Sequence, residues 1–493
     1  VGRDDRRVQP PHRRLRGRLS AAPATRLACA ACGAAADAPF TWRCPAAGRG
    51  DDLDHLMVRT LDPARVRFPG GEDTHPFVRY RELLHSWQVA HAAGMPDTEY
   101  LARVSRLTER CRDEAGRSFA ITPFARDAGL SARLGMSTDG GVWVKDETAN
   151  VAGSHKARHL MGLALALEVM EWLDPARRAD HDRRGLAIAS CGNAALAAAV
   201  VAHAGDHPLT VFIPTGADAA VVARIERLGA RITTCPRAPG QRGDPTMDAF
   251  RRAVAAGAIP FCCQGSENGL TIEGGETLAW EMVSALAASG SRLDRLFVQV
   301  GGGALASACV QGLREAVGLG VIGRMPRIHA VQAEGGFPLV RAYRELRTRI
   351  LAALGGSTLA AIPEPGEEAK LAHVMWCFSR EPQVMEALDY ARRHRSEFMS
   401  PWETAPHSLA HGILDDETYD WLAVVRGMIN SDGFPVVVSE GRVREAHRLA
   451  REATGIPVDP TGTAGLAGLL ELRRHGVVRP EESVAVLFTG RER

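Results

Sequence analysis

The chain has 493 residues, with 60 basic against 58 acidic side chains and a net charge of +2. At 45% hydrophobic and 24% charged, it has the balance of a globular protein with a large core, roughly three domains' worth of material. That charge balance offers nothing to a nucleic acid or an anionic membrane surface, and no run reaches the roughly 18 apolar residues of a membrane span. Lysine occurs only three times (Lys145, Lys156, Lys370), so 57 of the basic residues are arginines. Coding bias toward arginine explains the count, and the surviving lysines are where chemistry is sought first. Arginine stays protonated, whereas a lysine amine can lose its proton and act as a nucleophile.

Residues 1–25 read as a disordered leader, arginine-rich over 3–18 and lacking the apolar stretch of a signal peptide. Residues 26–60 carry Cys29-x2-Cys32-Gly33 and Cys44-Pro45, the knuckle arrangement in which zinc ribbons present thiolates. A fourth ligand is missing from the expected place. His55 is the candidate, ahead of Asp51 and Asp52, and the alternative is a ribbon-like turn without metal. The ten cysteines are scattered along the chain, as in a reduced, cytoplasmic protein rather than a secreted disulfide scaffold.

From about residue 180, short apolar runs alternate with helices. Strands are predicted over 186–190, 209–213, 230–235 and 259–263, with helices over 193–204, 218–229 and 248–256 between them. A second series has strands over 296–300, 328–333 and 484–488 and helices over 304–316, 441–453 and 465–473. Such alternation builds βαβ units around parallel sheets. The expected fold class is α/β, as two three-layer α/β domains with parallel-rich sheets, plus the small N-terminal zinc-ribbon-like segment. The expected large domain is 61–150 with 290–493, and the small one 151–289. Residues 337–430 read as a mostly helical elaboration without chemistry-bearing spacing.

Four segments carry chemistry. Lys156 follows a Gly153-Ser154-His155 turn and opens a helix reaching about Trp172. The positive end of the helix dipole disfavours an ammonium ion, and the neutral amine is the form that makes an imine. Ser190-Cys191-Gly192-Asn193 lies where a strand becomes a helix, the crevice in which α/β proteins bind ligands. Its N–H groups suit a carboxylate, and the Asn193 amide suits a hydroxyl. Gly301-Gly302-Gly303-Ala304 is a second such turn, able to approach an anion closely. It is neither a P-loop nor a dinucleotide fingerprint, and a phosphate monoester suits it better than a nucleotide. Thr489, after the last strand, offers a hydroxyl to a ring nitrogen. An imine-forming lysine, a cup for one phosphate, an amide for a ring hydroxyl and a hydroxyl for a ring nitrogen together describe pyridoxal phosphate.

The motifs Gly-Ser-His-Lys-Ala-Arg, Ser-Cys-Gly-Asn-Ala-Ala, Gly-Gly-Gly-Ala-Leu and Leu-Phe-Thr-Gly, in that order, resemble those of the fold-type-II pyridoxal-phosphate enzymes, the tryptophan synthase β superfamily. Within it the chain is similar to threonine synthases, with Thr489-Gly490 and the cysteine ribbon favouring that side. The resemblance implies an imine on Lys156, Asn193 at the cofactor's 3′-oxygen, and Gly301 to Ala304 around its phosphate. It also implies Thr489 at the pyridine nitrogen, and Ser190 to Asn193 on the substrate carboxylate. A lyase acting on a small amino acid follows, by β- or γ-elimination or replacement, with a homodimer as the expected assembly. The alternatives are a serine/threonine dehydratase or other ammonia-lyase, and a non-catalytic regulator on the same scaffold. The chain departs from dehydratases at Ala194, where they carry histidine, and from serine racemase at Cys191, where a hydroxyl is usual. It departs from threonine synthases in the missing fourth cysteine and in His155, where phenylalanine is usual.

Overall fold

A computed structural model describes residues 21–36, 38–48, 50–356 and 363–492. Residues 1–20 of the expected leader lie outside the described residues. The chain opens with the antiparallel pair β1 (Thr25–Cys29) and β2 (Met57–Leu61), registered Cys29 to Met57. Next come β3 (Phe124–Asp127) and β4 (Gly141–Asp146). The strands β5 (Leu186–Ala189), β6 (Leu209–Ile213), β7 (Arg231–Thr234) and β8 (Ile259–Pro260) follow. The last four are β9 (Arg295–Gln299), β10 (Arg327–Ala333), β11 (Val436–Val438) and β12 (Ser483–Phe488).

Two parallel-rich sheets result, as the alternation of strands and helices requires. One has the order β7-β6-β5-β8, all parallel. The other has the order β11-β10-β9-β12-β4-β3 and is parallel except for β3 against β4. Every residue of β5 and of β9 is buried, which is why they read as continuous apolar runs rather than alternating ones. The strand expected over 259–263 stops at Pro260, which has no N–H to continue the ladder. Phe261 N–H still reaches Ala187 O at 2.8 Å.

Each sheet has its own apolar core. The four-stranded sheet shares one with the helix Lys156–Leu173 and with buried residues of 77–111, and the six-stranded sheet centres the other. The helix Thr271–Ser289 contributes to both and packs on Lys156–Leu173, where Gly274 allows the two backbones to meet. A Cβ on Gly274 would lie 2.9 Å from the Arg158 carbonyl carbon.

The region 337–430 is helical at Pro338–Ala353, Pro365–Cys377, Pro382–Arg393 and Trp421–Asn430, the first three opening with proline in the first turn as its fixed φ favours. Between the last two, residues 399–420 include a single short turn of 3-10 helix and return to the large sheet's carboxyl edge. Asp52 holds the ribbon to this region through Ser396 N and Oγ, both at 2.8 Å. Among the described residues no helix is long and apolar enough to cross a membrane.

Candidate active site

The carboxyl ends of β4, β9 and β12 lie side by side because β12 runs between the other two. The segment carrying Lys156, the glycine turn and Thr489 leave those three ends, the crevice position of open α/β sheets. Lys156 begins its helix after a tight turn in which Ala152 and Gly153 have φ of 57° and 72°. Asn150 fixes the turn, accepting from Val151 N at 2.7 Å and donating to Glu147 at 2.8 Å. Ser154 then pairs in an antiparallel bridge with Gly490, and Arg491 N donates to Gly153 O at 2.9 Å. The lysine loop is thereby fastened to the residues after β12. Thr489 is buried there, and its Oγ1 accepts from Gln299 Nε2 at 2.5 Å.

Beneath the loop lies a fully buried charge cluster. Arg158 donates to both oxygens of Glu147 (2.8 and 2.9 Å) and to Glu281 (2.6 Å), and Lys145 donates to Thr122 O (2.7 Å) and to Glu281. Burial opposes charge on Glu147, but Arg158 and Lys145 outweigh it and hold this carboxyl at about 2. Lys145, one of the three lysines, is a neutralising partner under the site. Lys370 is exposed. Lys156 makes no ion pair within 4 Å among the described residues. Its neighbours His155 and His159 are neutral, because burial and then the Lys156 charge push both down, His159 to about 3.

The turn Ser190–Asn193 faces the same cleft from the end of β5, with Cys191 exposed and Asn193 opening the helix Asn193–Ala204. The glycine turn leads from β9 into the helix Ala304–Gly318, with Gly303 at φ +99°. Here the structure adds what the sequence concealed. Residues 413–420, inside the segment read as lacking chemistry, pack on all three glycines. A Cβ on Gly301 would meet Ile413 at 2.8 Å and collide with the Asp415 carboxylate, one on Gly302 would meet the Tyr419 ring at 3.0 Å, and one on Gly303 would meet Thr418 at 3.0 Å. Thr418 Oγ1 donates to Gly301 O at 2.9 Å and Asp420 N to Gly302 O at 3.1 Å, and the Gly302 N–H draws the nearby Asp415 carboxyl down. Burial pushes Asp415 up to about 6 and Asp420 up to about 7, each against the pull of Lys156. Asp415 and Asp244 also face Cys191, whose thiol burial raises first. No short-range spacing marks these acids, since their partners lie more than a hundred residues away in the chain.

In the ribbon, the ligand atoms of Cys29, Cys32, Cys44 and His55 lie within 4.8 Å of one another. Cys29 Sγ is 3.4 Å from His55 Nδ1, and the Cys32 and Cys44 sulfurs are 3.5 Å apart. A tetrahedral zinc with bonds of about 2.0–2.3 Å requires ligand separations of roughly 3.5–3.8 Å, so the set fits that ion. Asp51 stands outside it, 3.2 Å from His55 Nε2, as the carboxylate that orients a metal-binding imidazole.

A family model described as pyridoxal-phosphate dependent enzyme matches residues 117–490. The chain belongs to this family. It is similar to a threonine synthase of Methanocaldococcus jannaschii, 23% identical over 75% of this chain and 74% of that protein. A cysteate synthase of Methanospirillum hungatei is 23% identical over 74% of each. Among solved structures, threonine deaminase isoform 2 of Solanum lycopersicum superposes with a TM-score of 0.53 at 14% identity, covering 81% of this chain and 91% of that one. That likeness is one of fold.

The residues fit pyridoxal phosphate. Lys156 is unpaired beside the cup, and a carboxyl oxygen of Asp415 already stands against the Gly301 and Gly302 turn. Ser154 Oγ and Gln299 Oε1 are buried at the site without hydrogen-bond partners.

Proposed function

We propose that the protein is a pyridoxal-phosphate-dependent lyase acting on a small amino acid by β- or γ-elimination or replacement, in the manner of threonine synthases. The observation that carries this reading is an unpaired Lys156 fastened beside Thr489 and facing the glycine turn. When bound, the cofactor supplies the electron sink that lets bonds at the substrate's α-carbon break. In this reading Lys156 attaches the cofactor and then, freed, accepts and returns protons at Cα and Cβ. The N–H groups of Gly301 to Ala304 hold the phosphate and displace Asp415 from Gly302. Thr489, oriented by Gln299, faces the ring nitrogen. A neutral hydroxyl there protonates the ring less than a carboxylate would, which suits elimination over a long-lived carbanion. Asn193 positions the ring hydroxyl, and Ser190, Cys191 and Gly192 with Asn193 receive the substrate carboxylate. The neutral imidazoles of His155 and His159 keep competing charge away from the amine.

Purified protein is expected to be yellow, and Lys156→Ala to lose both the colour and the borohydride-reducible label. Protein that takes up no added cofactor overturns the reading. Elimination and replacement separate by product. A synthase releases inorganic phosphate from phosphohomoserine and keeps nitrogen, whereas a dehydratase releases ammonia. Arg117 and Arg491 lie beside Gly153, and the charges of Arg491 and Arg224 act on Arg117, positive charge suited to an anionic leaving group. In the synthase reading, Arg491→Gln should raise KM for phosphohomoserine with less effect on kcat.

We infer that the Cys29, Cys32, Cys44 and His55 site binds structural zinc. One zinc per chain by elemental analysis is expected, lost in Cys44→Ser. A purified chain with its ribbon intact and no metal overturns this.

A further inference from the structure

A second cavity lies away from Lys156, the glycine turn and Thr489, with a volume of about 990 Å³. Its walls come from the ribbon, the helices Thr271–Ser289, Ala304–Gly318 and Trp421–Asn430, and the helical region 376–392. Five arginines line it, and of these Arg59 is held by Glu273, Glu276 and Glu315, which leaves Arg314, Arg380, Arg392 and Arg426. Arg392 is paired with Asp389. The other three make no ion pair or hydrogen bond among the described residues.

Acidic side chains on the wall do not balance them. Asp54 is held by Arg395 at 3.3 Å, and Glu273 and Glu276 by Arg59. Glu381 stands exposed at the rim. Burial and the neighbouring charges of Arg314 and Arg392 push the Arg426 guanidinium down from its usual value. Like charges gathered around a low-dielectric hollow repel one another unless an anion joins them. The rest of the lining is apolar. Val310 and Leu422 form part of the floor, and Trp376 and Met385, 42% and 45% exposed, stand at the mouth. Large side chains left this exposed beside a hollow are where ligands or partners bind.

We propose that this cavity is a second ligand site, for a small organic anion with an apolar or aromatic body. The guanidinium groups of Arg314 and Arg426 would hold its carboxylate, phosphate or sulfonate, and the Trp376 side its body. Gln311 and Arg314 project from the carboxyl half of the helix that starts at the glycine turn, so ligand and cofactor would touch different parts of one rigid element.

The test uses the full chain loaded with pyridoxal phosphate and two dyes of similar shape. One is the anionic 1-anilinonaphthalene-8-sulfonate, the other the uncharged N-phenyl-1-naphthylamine. Saturable binding of the anionic dye, one per chain, is expected. Arg426→Gln with Arg314→Gln should weaken it by roughly tenfold or more, leaving the uncharged dye and the cofactor absorbance unchanged. Arg314→Gln alone, at an exposed position, should give part of that loss if the double variant folds poorly. Equal binding of the anionic dye by the variants overturns the proposal. So does parallel loss of both dyes, or loss of dye binding as sedimentation shows the chain self-associating, which would make the cavity an interface between copies.

Discussion

The helix Thr271–Ser289 carries two buried charge clusters of opposite design. At its carboxyl half, Glu281 joins Arg158, Lys145 and Glu147, two cations against two anions. At its amino half, Glu273 and Glu276 share the single Arg59 with Glu315, three anions against one cation. In the balanced cluster Glu147 stays at about 2, while burial pushes the Lys145 amine down against the pull of Glu281 and Glu147. In the unbalanced one, burial outweighs Arg59. Glu273 is pushed up to about 7 and Glu276 well above the ordinary carboxylate range. The balanced cluster lies under the lysine loop, where Glu147 stays ionised through neutral pH. The acid-rich cluster supports the ribbon and a wall of the second cavity, where protonation is tolerated.

Breaking each cluster should show the difference. Arg158→Met strands Glu147 and Glu281 with only Lys145. A loss of about 3–5 kcal/mol is expected in denaturant unfolding, together with loss of cofactor colour. Arg59→Met should cost less, about 2–3 kcal/mol at pH 8 and roughly 1 kcal/mol at pH 5.5, because its glutamates can accept protons. Equal costs at both pH values would mean that the two clusters are alike.

The signs of the pH dependence also differ. Glu273 rises from 4.5 to about 7 on folding, so its contribution is complete below pH 4.5 and is lost as pH rises through 7. Glu147 falls from 4.5 to about 2, so its contribution is complete above pH 4.5 and is lost as pH falls through 2. Glu273→Gln should therefore flatten the decline of Tm between pH 5 and 8 and add about 1 kcal/mol at pH 8. A variant that melts lower than the parent at pH 8 would refute that sign. The smallest effect concerns the cup. Asp415→Asn removes a carboxylate from Gly302 N–H and should tighten pyridoxal phosphate by roughly three- to tenfold at pH 8, measured by absorbance titration. Weaker binding would show instead that Asp415 helps to hold the cofactor.

What could be read from the sequence follows the range of the interactions involved. The helix over 193–204 and the strand over 209–213 were legible to the residue, since apolar runs ended by Gly205 and by Pro214 are local signals. So were the turns bearing Lys156, Gly301 and Asn193. The charge clusters were not. Glu281 meets Lys145 across 136 positions and Arg59 meets Glu276 across 217, and no spacing announces such pairs. For the same reason Asp415 was hidden in a segment read as elaboration. His55 was half legible, a ligand type without its expected spacing, and only folding of the ribbon places it beside three cysteine sulfurs.

The position of β12 bears on how the enzyme is made. His155 and Thr489, joined by hydrogen bonds, are 334 positions apart, and β12 fills the middle of the large sheet. At roughly 5–20 residues per second, a ribosome that has made the lysine loop needs roughly 20–70 s more to deliver its fastening. Until then β4 and β9 lack the strand that separates them. The strands of the four-stranded sheet are complete by residue 260, while the lysine loop waits on a partner 334 positions further along the chain.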